Sequence, residues 1–309
     1  MSVTYTVDDL VTHIKNKAAV PSTLGKGLTL EDILRYMNDE MRYFIIPLLT
    51  SIREEFFVTY SDTLIGTSST FAIPSDALGN KLRDVLRIDP NGNKFSIARI
   101  EPEDLPRFNQ SSNYIRGFYI ENNNIKILGN LNTTDTLRLT YFKRPNDLVL
   151  YSGTSAYNCA KIATVGAGGA ITTSLTIPST FTTSASYDII KATPLFDLLQ
   201  ENITASVASG TNMTLSSTTG ASVGDYVCLA GESCIPQIPV ECYALLGERV
   251  VMKICQSLGD KENYAIAKQE ADDIKEQLLQ LLSDRVEGEN RKIINTDNLA
   301  WRTRRFWAY

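Results

Sequence analysis

The strongest constraint on this chain is a long helical pattern near its C-terminal end that is not stable alone. In VECYALLGERVVMKICQSLGD, Tyr243, Leu246, Val250, Ile254 and Leu258 fall on one helical face, and Gly259 stands where a helix stops. The next stretch, roughly Lys261 to Arg285, places Ala267, Ala271, Ile274, Leu278 and Leu281 at alternating spacings of four and three. That is an a/d seam of about two heptads, too short for a free coiled coil. Its apolar face must pack on other helices, either earlier in the chain or on a neighbouring subunit.

The N-terminal segment offers such helices. Ser2 or Thr6 can cap a short helix carrying Leu10, Val11 and Ile14, and PSTLGKG (21–27) reads as a loop. LTLEDILRYMNDEMRYFIIPLLTSIREEFF then opens with Thr29 and, three residues later, Asp32, a capping-box-like start. Ile33, Leu34, Met37, Met41, Phe44 and Ile45 recur at helical spacing. Pro47 lacks the N–H and crowds the preceding turn, so it predicts a kink or an end, with Leu48 to Phe57 forming another short helix or the continuation of the first after the bend.

Between the helical ends the pattern changes to β. RDVLRID and KFSIARI flank PNGN and predict a hairpin, with further strands at 117–121, 125–128 and 136–143. In the last of these Leu137, Leu139 and Tyr141 share one face. From Tyr151 to Gly231 the composition shifts to Ser, Thr, Gly and Ala. Short β runs (KIATV, ITTSLTI, YDIIKA, NITASVA, NMTLSS, DYVCLA) suggest a small barrel or sandwich. The Gly-rich piece TVGAGGA (164–170) lacks the GK[ST] ending of a phosphate loop and reads as a hairpin turn.

The expected fold class is therefore α+β: a helical bundle from the N- and C-terminal segments, a small antiparallel β-domain and an inserted second β-module. The expected divisions are 1–57 helical, 58–150 antiparallel β, 151–233 the inserted module, 234–286 helices packing with 1–57, and 287–309 an extended tail.

Little in the chain points to catalysis. There is no GxSxG, HExxH, Walker A or kinase set. The single histidine, His13, lies in a polar amphipathic stretch. Acidic pairs at Glu31-Asp32, Glu54-Glu55 and Asp272-Asp273, and the cluster Glu101-Glu103-Asp104, read first as solvated helix starts and faces. Glu101 and Asp104 are the pair to watch for an alternative reading as a cell-wall hydrolase. The five cysteines are odd in number and none is spaced CxxC, so neither a disulfide framework nor a zinc site is expected, and no cofactor or metal is implied. No apolar run approaches the ~20 residues of a membrane span, and the first residues do not read as a secretory signal. The expectation is a protein that folds in the cytoplasm where it is made.

The order of segments resembles that of the head-to-tail connector (adaptor) proteins of tailed bacteriophages, the rings beneath the portal. The likeness is carried by LEDILRYMNDEMRYF with TFAIPSDALGNKLRDVLRIDPNG, by FYIENNNIKILGNLNTTDTLRLTYFKRPNDL, and by the helix–Gly–helix unit from Ile238 to Arg285. These cover about two-thirds of the chain. The Ser/Thr/Gly-rich module departs from the shortest members, and so elaborated an adaptor suits large podovirus-like phages, the crAss-like group included. The resemblance implies a virion protein of the neck region, assembled in the host cytoplasm as a homo-oligomeric ring of twelve subunits. Its partners would be the portal protein and further tail or ring proteins. DNA would pass through its lumen without specific binding, and no membrane is involved. A net charge of −5 suits such a conduit, since a basic lumen would grip phosphates. A glycan-binding role through the 151–233 module is a further alternative.

The last nine residues, WRTRRFWAY, hold four aromatics and three arginines on an otherwise acidic chain. Both types are enriched where interfaces concentrate binding energy. Within the resemblance, Trp301, Phe306 and Trp307 are the expected anchors. Arg302, Arg304 and Arg305 would pair with acidic groups, and Tyr309 completes the docking set. The surface that covers them is a portal groove, a neighbouring subunit or the protein's own helices.

Overall fold

Each N-terminal helix begins where a threonine and an aspartate close a capping box. The computed structural model describes residues 6–18, 28–107, 117–129, 132–151, 158–192 and 198–282. Thr6 caps α1 (Val7–Lys17): its hydroxyl accepts the Asp9 N–H at 3.3 Å, and the Asp9 carboxylate accepts the Thr6 N–H at 3.1 Å. Thr29 and Asp32 repeat the arrangement at α2 (Leu30–Glu40), at 3.1 and 2.9 Å.

Pro47 does not end the second helix. The chain passes through one π turn, Met41–Ile45, into α3 (Ile46–Ile52), and Pro47 sits in the first turn of α3. The Ile46 N–H reaches back five residues to the Met41 carbonyl. The wider turn just before the ring makes room for it, so the helical path continues. A 3₁₀ turn, Glu54–Phe56, follows α3 where a longer helix was expected.

Among the described residues seven strands follow. A four-stranded antiparallel sheet has the order β1 (Val58–Leu64), β7 (Thr136–Lys143), β3 (Ala77–Ile88), β4 (Lys94–Ser96). A three-stranded sheet has the order β2 (Thr70–Ala72), β6 (Asn124–Leu128), β5 (Gly117–Glu121). The β3–β4 hairpin turns on the Asp89 carboxylate, which accepts the Asn91 and Asn93 N–H groups, with Gly92 at φ 86°. Leu137, Leu139 and Tyr141 of β7 are buried and share one core with Phe71, Phe118 and Ile125 of the other sheet.

The chain then forms β8 (Asp147–Leu148) and builds a closed six-stranded barrel. Its strands are β9 (Cys159–Val165), β10 (Ala170–Thr173), β11 (Ser186–Ile190), β12 (Leu198–Ser209), β13 (Asn212–Leu215) and β14 (Tyr226–Leu229). Around the barrel they run β9, β10, β13, β12, β11, β14 and back to β9. All six short β runs of the Ser/Thr/Gly-rich stretch contribute a strand, and TVGAGGA forms the β9–β10 turn. The chain leaves through β15 (Glu232–Ser233), which pairs in parallel with β8, so the two ends of the barrel segment lie side by side. Asn38 of α2 holds this neck, accepting the Leu148 N–H at 2.7 Å and donating to its carbonyl at 3.1 Å.

One expectation is overturned here. Cys159 and Cys228 are joined by a disulfide. They lie 69 residues apart with no diagnostic spacing; closure of the barrel sets them opposite each other on its first and last strands.

After the barrel the chain becomes helical again, in α4 (Cys242–Leu258) and α5 (Lys261–Leu281). Gly259 ends α4 in the left-handed region at φ 75°, as its position predicts. Val7, Ile14, Ile33, Met37, Ile45 and Leu49 share one buried core with Leu246, Val250, Ile254 and Ala271. Each large aliphatic side chain so buried contributes about 1.5–3 kcal/mol. No described helix is long and apolar enough to cross a membrane.

Candidate functional site

The seam residues named from the sequence divide between core and surface. Ala267, Ala271 and Leu278 are buried, and Ile274 is half-buried against the same core. Leu281 is not in it: the side chain is 63% exposed, and Leu282 is buried in its place. A strict 3.5-residue repeat holds only if the helix supercoils, and a straight α-helix steps from Leu278 to Leu282 instead. Leu258 is exposed too, because α4 ends there and the chain turns away at Gly259. The tail residues Trp301, Arg302, Arg304, Arg305, Phe306, Trp307 and Tyr309 lie outside the described residues.

Polar contacts between chain ends accompany the apolar core. Lys17 of α1 reaches Glu248 of α4 and Glu270 of α5. Burial works against the Lys17 charge, but the two carboxylates outweigh it and push the ammonium pKa up. Lys17 in turn holds the Glu270 carboxyl below its usual range.

Among the described residues, a groove of about 550 Å³ opens where the helices, the four-stranded sheet and the barrel meet. Phe57 and Ile238 are buried in its floor, while Phe56 and Val240 are exposed at its edge. Arg53, Lys143 and Arg144 bring positive charge, and Glu55 and Glu241 bring negative charge. The Arg53 guanidinium lies 5.9 Å from the centre of the Phe56 ring. Leu282, the last described residue, also lines the groove.

Hydrogen bonds hold the main chain around this groove. The Lys143 N–H donates to the Phe57 carbonyl and the Arg144 N–H to the Asp76 carbonyl, both at 2.7 Å. The Asn146 N–H donates to the Gln237 side-chain oxygen at 2.8 Å. The Tyr243 hydroxyl donates to the Pro236 carbonyl at 2.9 Å, and burial raises the phenol pKa so that it stays a donor. Lys143 pairs with Glu201 of the barrel strand β12. Tyr141 donates to Asp76 at 3.1 Å; burial and that carboxylate both push its pKa up. An apolar floor with a rim of mixed charge is chemistry for binding a polypeptide segment.

The acidic residues considered for hydrolysis are not arranged as a buried pair. Glu101 is 61% exposed and lies 3.4 Å from Arg99, and the Asp104 main-chain N–H donates to the Glu101 carbonyl. Glu54 pairs with Arg83, and Asp272 and Asp273 are exposed on α5. His13 is exposed on α1. No protein-family model matches the chain, and no curated protein matches its sequence.

The groove was not found by sequence reasoning. Its walls come from residues 53 and 55–59, 143–145, 198, 237–241 and 282, and no local pattern links them. The proline-rich IPQIPV was the nearest signal, as a stretch that can be neither strand nor helix interior.

Proposed function

We propose that the protein is a structural virion component, an adaptor ring that joins the portal to the tail of a bacteriophage. The observation that supports this reading most is the shared core of α1–α3 with α4 and α5. Within the proposal these elements form the helical bundle of the ring, and the two β-units are additions to it. The segment order that resembles phage connectors supplies the identity of the assembly, and twelve subunits would match a portal. The lumen passes DNA without gripping it, in keeping with the net charge of −5.

In this reading the docking element is residues 298–309. It follows α5, whose end lines the groove. Trp301, Phe306 and Trp307 insert as anchors, and Arg302, Arg304 and Arg305 pair with carboxylates of the portal. One buried aromatic anchor is worth on the order of 2–4 kcal/mol, and a ring repeats the contact in every subunit.

The test is native mass measurement of the full chain, and of a chain lacking 298–309, each mixed with the portal protein of the same phage. The full chain is expected to load as a ring. The truncated chain is expected to keep its circular dichroism and melting temperature but fail to load. Equal loading by both overturns the docking tail, and failure of the full chain to load overturns the adaptor reading. Unfolding of the truncated chain would assign the tail to its own core instead.

A further inference from the structure

Three sulfur atoms meet where the barrel joins the helices. Cys159 and Cys228 face each other across the closing seam of the barrel. Cys234, just beyond β15, brings its Sγ to the same point, and all three sulfurs lie within 4.8 Å of one another. Each of the three residues is at most 1% exposed, and Ile190, Tyr226 and Ile235 pack in the same cluster.

The third sulfur is held from two sides. The Cys234 carbonyl accepts the Val7 N–H at 2.8 Å, at the start of α1. The adjoining Ser233 pairs with Leu148 in the β8–β15 ladder, and its hydroxyl accepts the Ile235 N–H at 3.1 Å. Barrel closure places two of the sulfurs, and the neck places the third.

We propose that Cys159, Cys228 and Cys234 form a three-thiolate site for a thiophilic divalent cation, available when the disulfide is reduced. Thiolate sulfurs lie about 2.3 Å from a zinc ion, which sets them roughly 4 Å apart around it. All three sulfurs lie within 4.8 Å of one another, so once the S–S bond opens the two bonded sulfurs need only part to about 4 Å beside the third. Soft thiolates favour this class of metal over magnesium or calcium. Cys234 is fully buried, where a bare thiolate is costly and a bound cation supplies countercharge.

The chemistry balances in two steps. A dithiol or phosphine reductant supplies two electrons, and with two protons the S–S bond becomes two thiols. A divalent cation then displaces one proton from each of three thiols, leaving a complex of net charge −1. In the oxidised protein two of the ligands are joined to each other. Disulfide and metal occupancy therefore exclude one another.

The test uses the full chain, reduced with a phosphine, desalted without oxygen and titrated with Cd(II). Ultraviolet absorbance reads sulfur-to-metal charge transfer, and circular dichroism follows the fold. The expected result is one Cd(II) per folded chain, no such band in the oxidised protein, and at least a tenfold loss of affinity in C234S. C242S, altered at a thiol buried among the helices, is expected to bind as the parent does. No charge-transfer band in the reduced chain overturns the proposal. So does equal affinity of C234S and the parent, loss of binding in C242S, or unfolding of the parent on reduction.

Discussion

Glu40 at the end of α2 lies against Arg249 of α4, its carboxylate 2.8 Å from the arginine Nε and only 7% of its side chain exposed. Lys253 approaches the other oxygen at 3.7 Å, and the Arg249 guanidinium covers the Phe44 ring at 3.9 Å. Removing one member of a buried pair leaves the other uncompensated, whereas replacing both with apolar groups is often neutral. E40A is expected to cost about 3 kcal/mol in urea unfolding. The double variant E40M/R249M is expected to recover most of that. A double variant as unstable as E40A would show that the ion pair itself, rather than the orphaned charge, sets the cost.

The β9–β10 turn contains two adjacent glycines with positive φ, and they differ in surroundings. A Cβ on Gly169 would lie 2.0 Å from the Leu215 carbonyl oxygen, on the neighbouring strand β13. A Cβ on Gly168, at φ 67°, would meet nothing within 4 Å. G168A carries only the left-handed backbone cost, about 1 kcal/mol. G169A must also push β13 away and is expected to cost about 3 kcal/mol or more. Equal melting temperatures for the two variants would mean that the strand gives way easily.

These two sites show what the sequence makes legible and what it does not. Thr29-Asp32 was legible as a helix start because a cap is decided by residues three apart, while the first helix left Ser2 and Thr6 as alternatives, of which Thr6 is the cap. The six strands of the barrel were legible for the same reason, since β runs and turn glycines are local signals. Closure of the barrel, and with it the Cys159–Cys228 bond, depends on pairing across 69 residues that no short pattern encodes. Pro47 announced a disturbance, but the choice of a π turn over a break was made by the core on which Ile45 and Leu49 are buried. The groove is the extreme case: five separate stretches build it, and each alone is an ordinary turn, loop or element end.

Arg138 of β7 grips Asp62 of β1 through two hydrogen bonds, at 2.7 and 2.6 Å, with its guanidinium 3.9 Å from the centre of the Tyr60 ring. The arginine holds the Asp62 carboxyl below its usual range. A lowered carboxyl pKa adds stability that is fully present above the unfolded value of about 3.9 and disappears as pH falls through the lower folded value. The parent is therefore expected to melt a few degrees above D62N at pH 6, and the gap is expected to start narrowing below about pH 4 and to go on narrowing as pH falls through the lower folded value. A gap that is unchanged at pH 3 would assign the effect of Asp62 to packing rather than to its charge.

Leu281 and Leu282 are neighbours with opposite surroundings, 63% and 6% exposed. L282A removes a buried side chain near a helix end and is expected to cost about 2 kcal/mol. L281A in the isolated subunit is expected to change stability by no more than about 0.5 kcal/mol. Assembly would alter this comparison, because the side of α5 that carries Leu281 also leaves Ile266 exposed at 52%. If a neighbouring subunit covers Leu281, L281A will unfold like the parent in dilute solution yet fall apart at concentrations where the parent is oligomeric. Unfolding in urea and light scattering over a hundredfold concentration range separate the two effects. An L281A oligomer as stable as the parent's would leave that face outside the subunit contact.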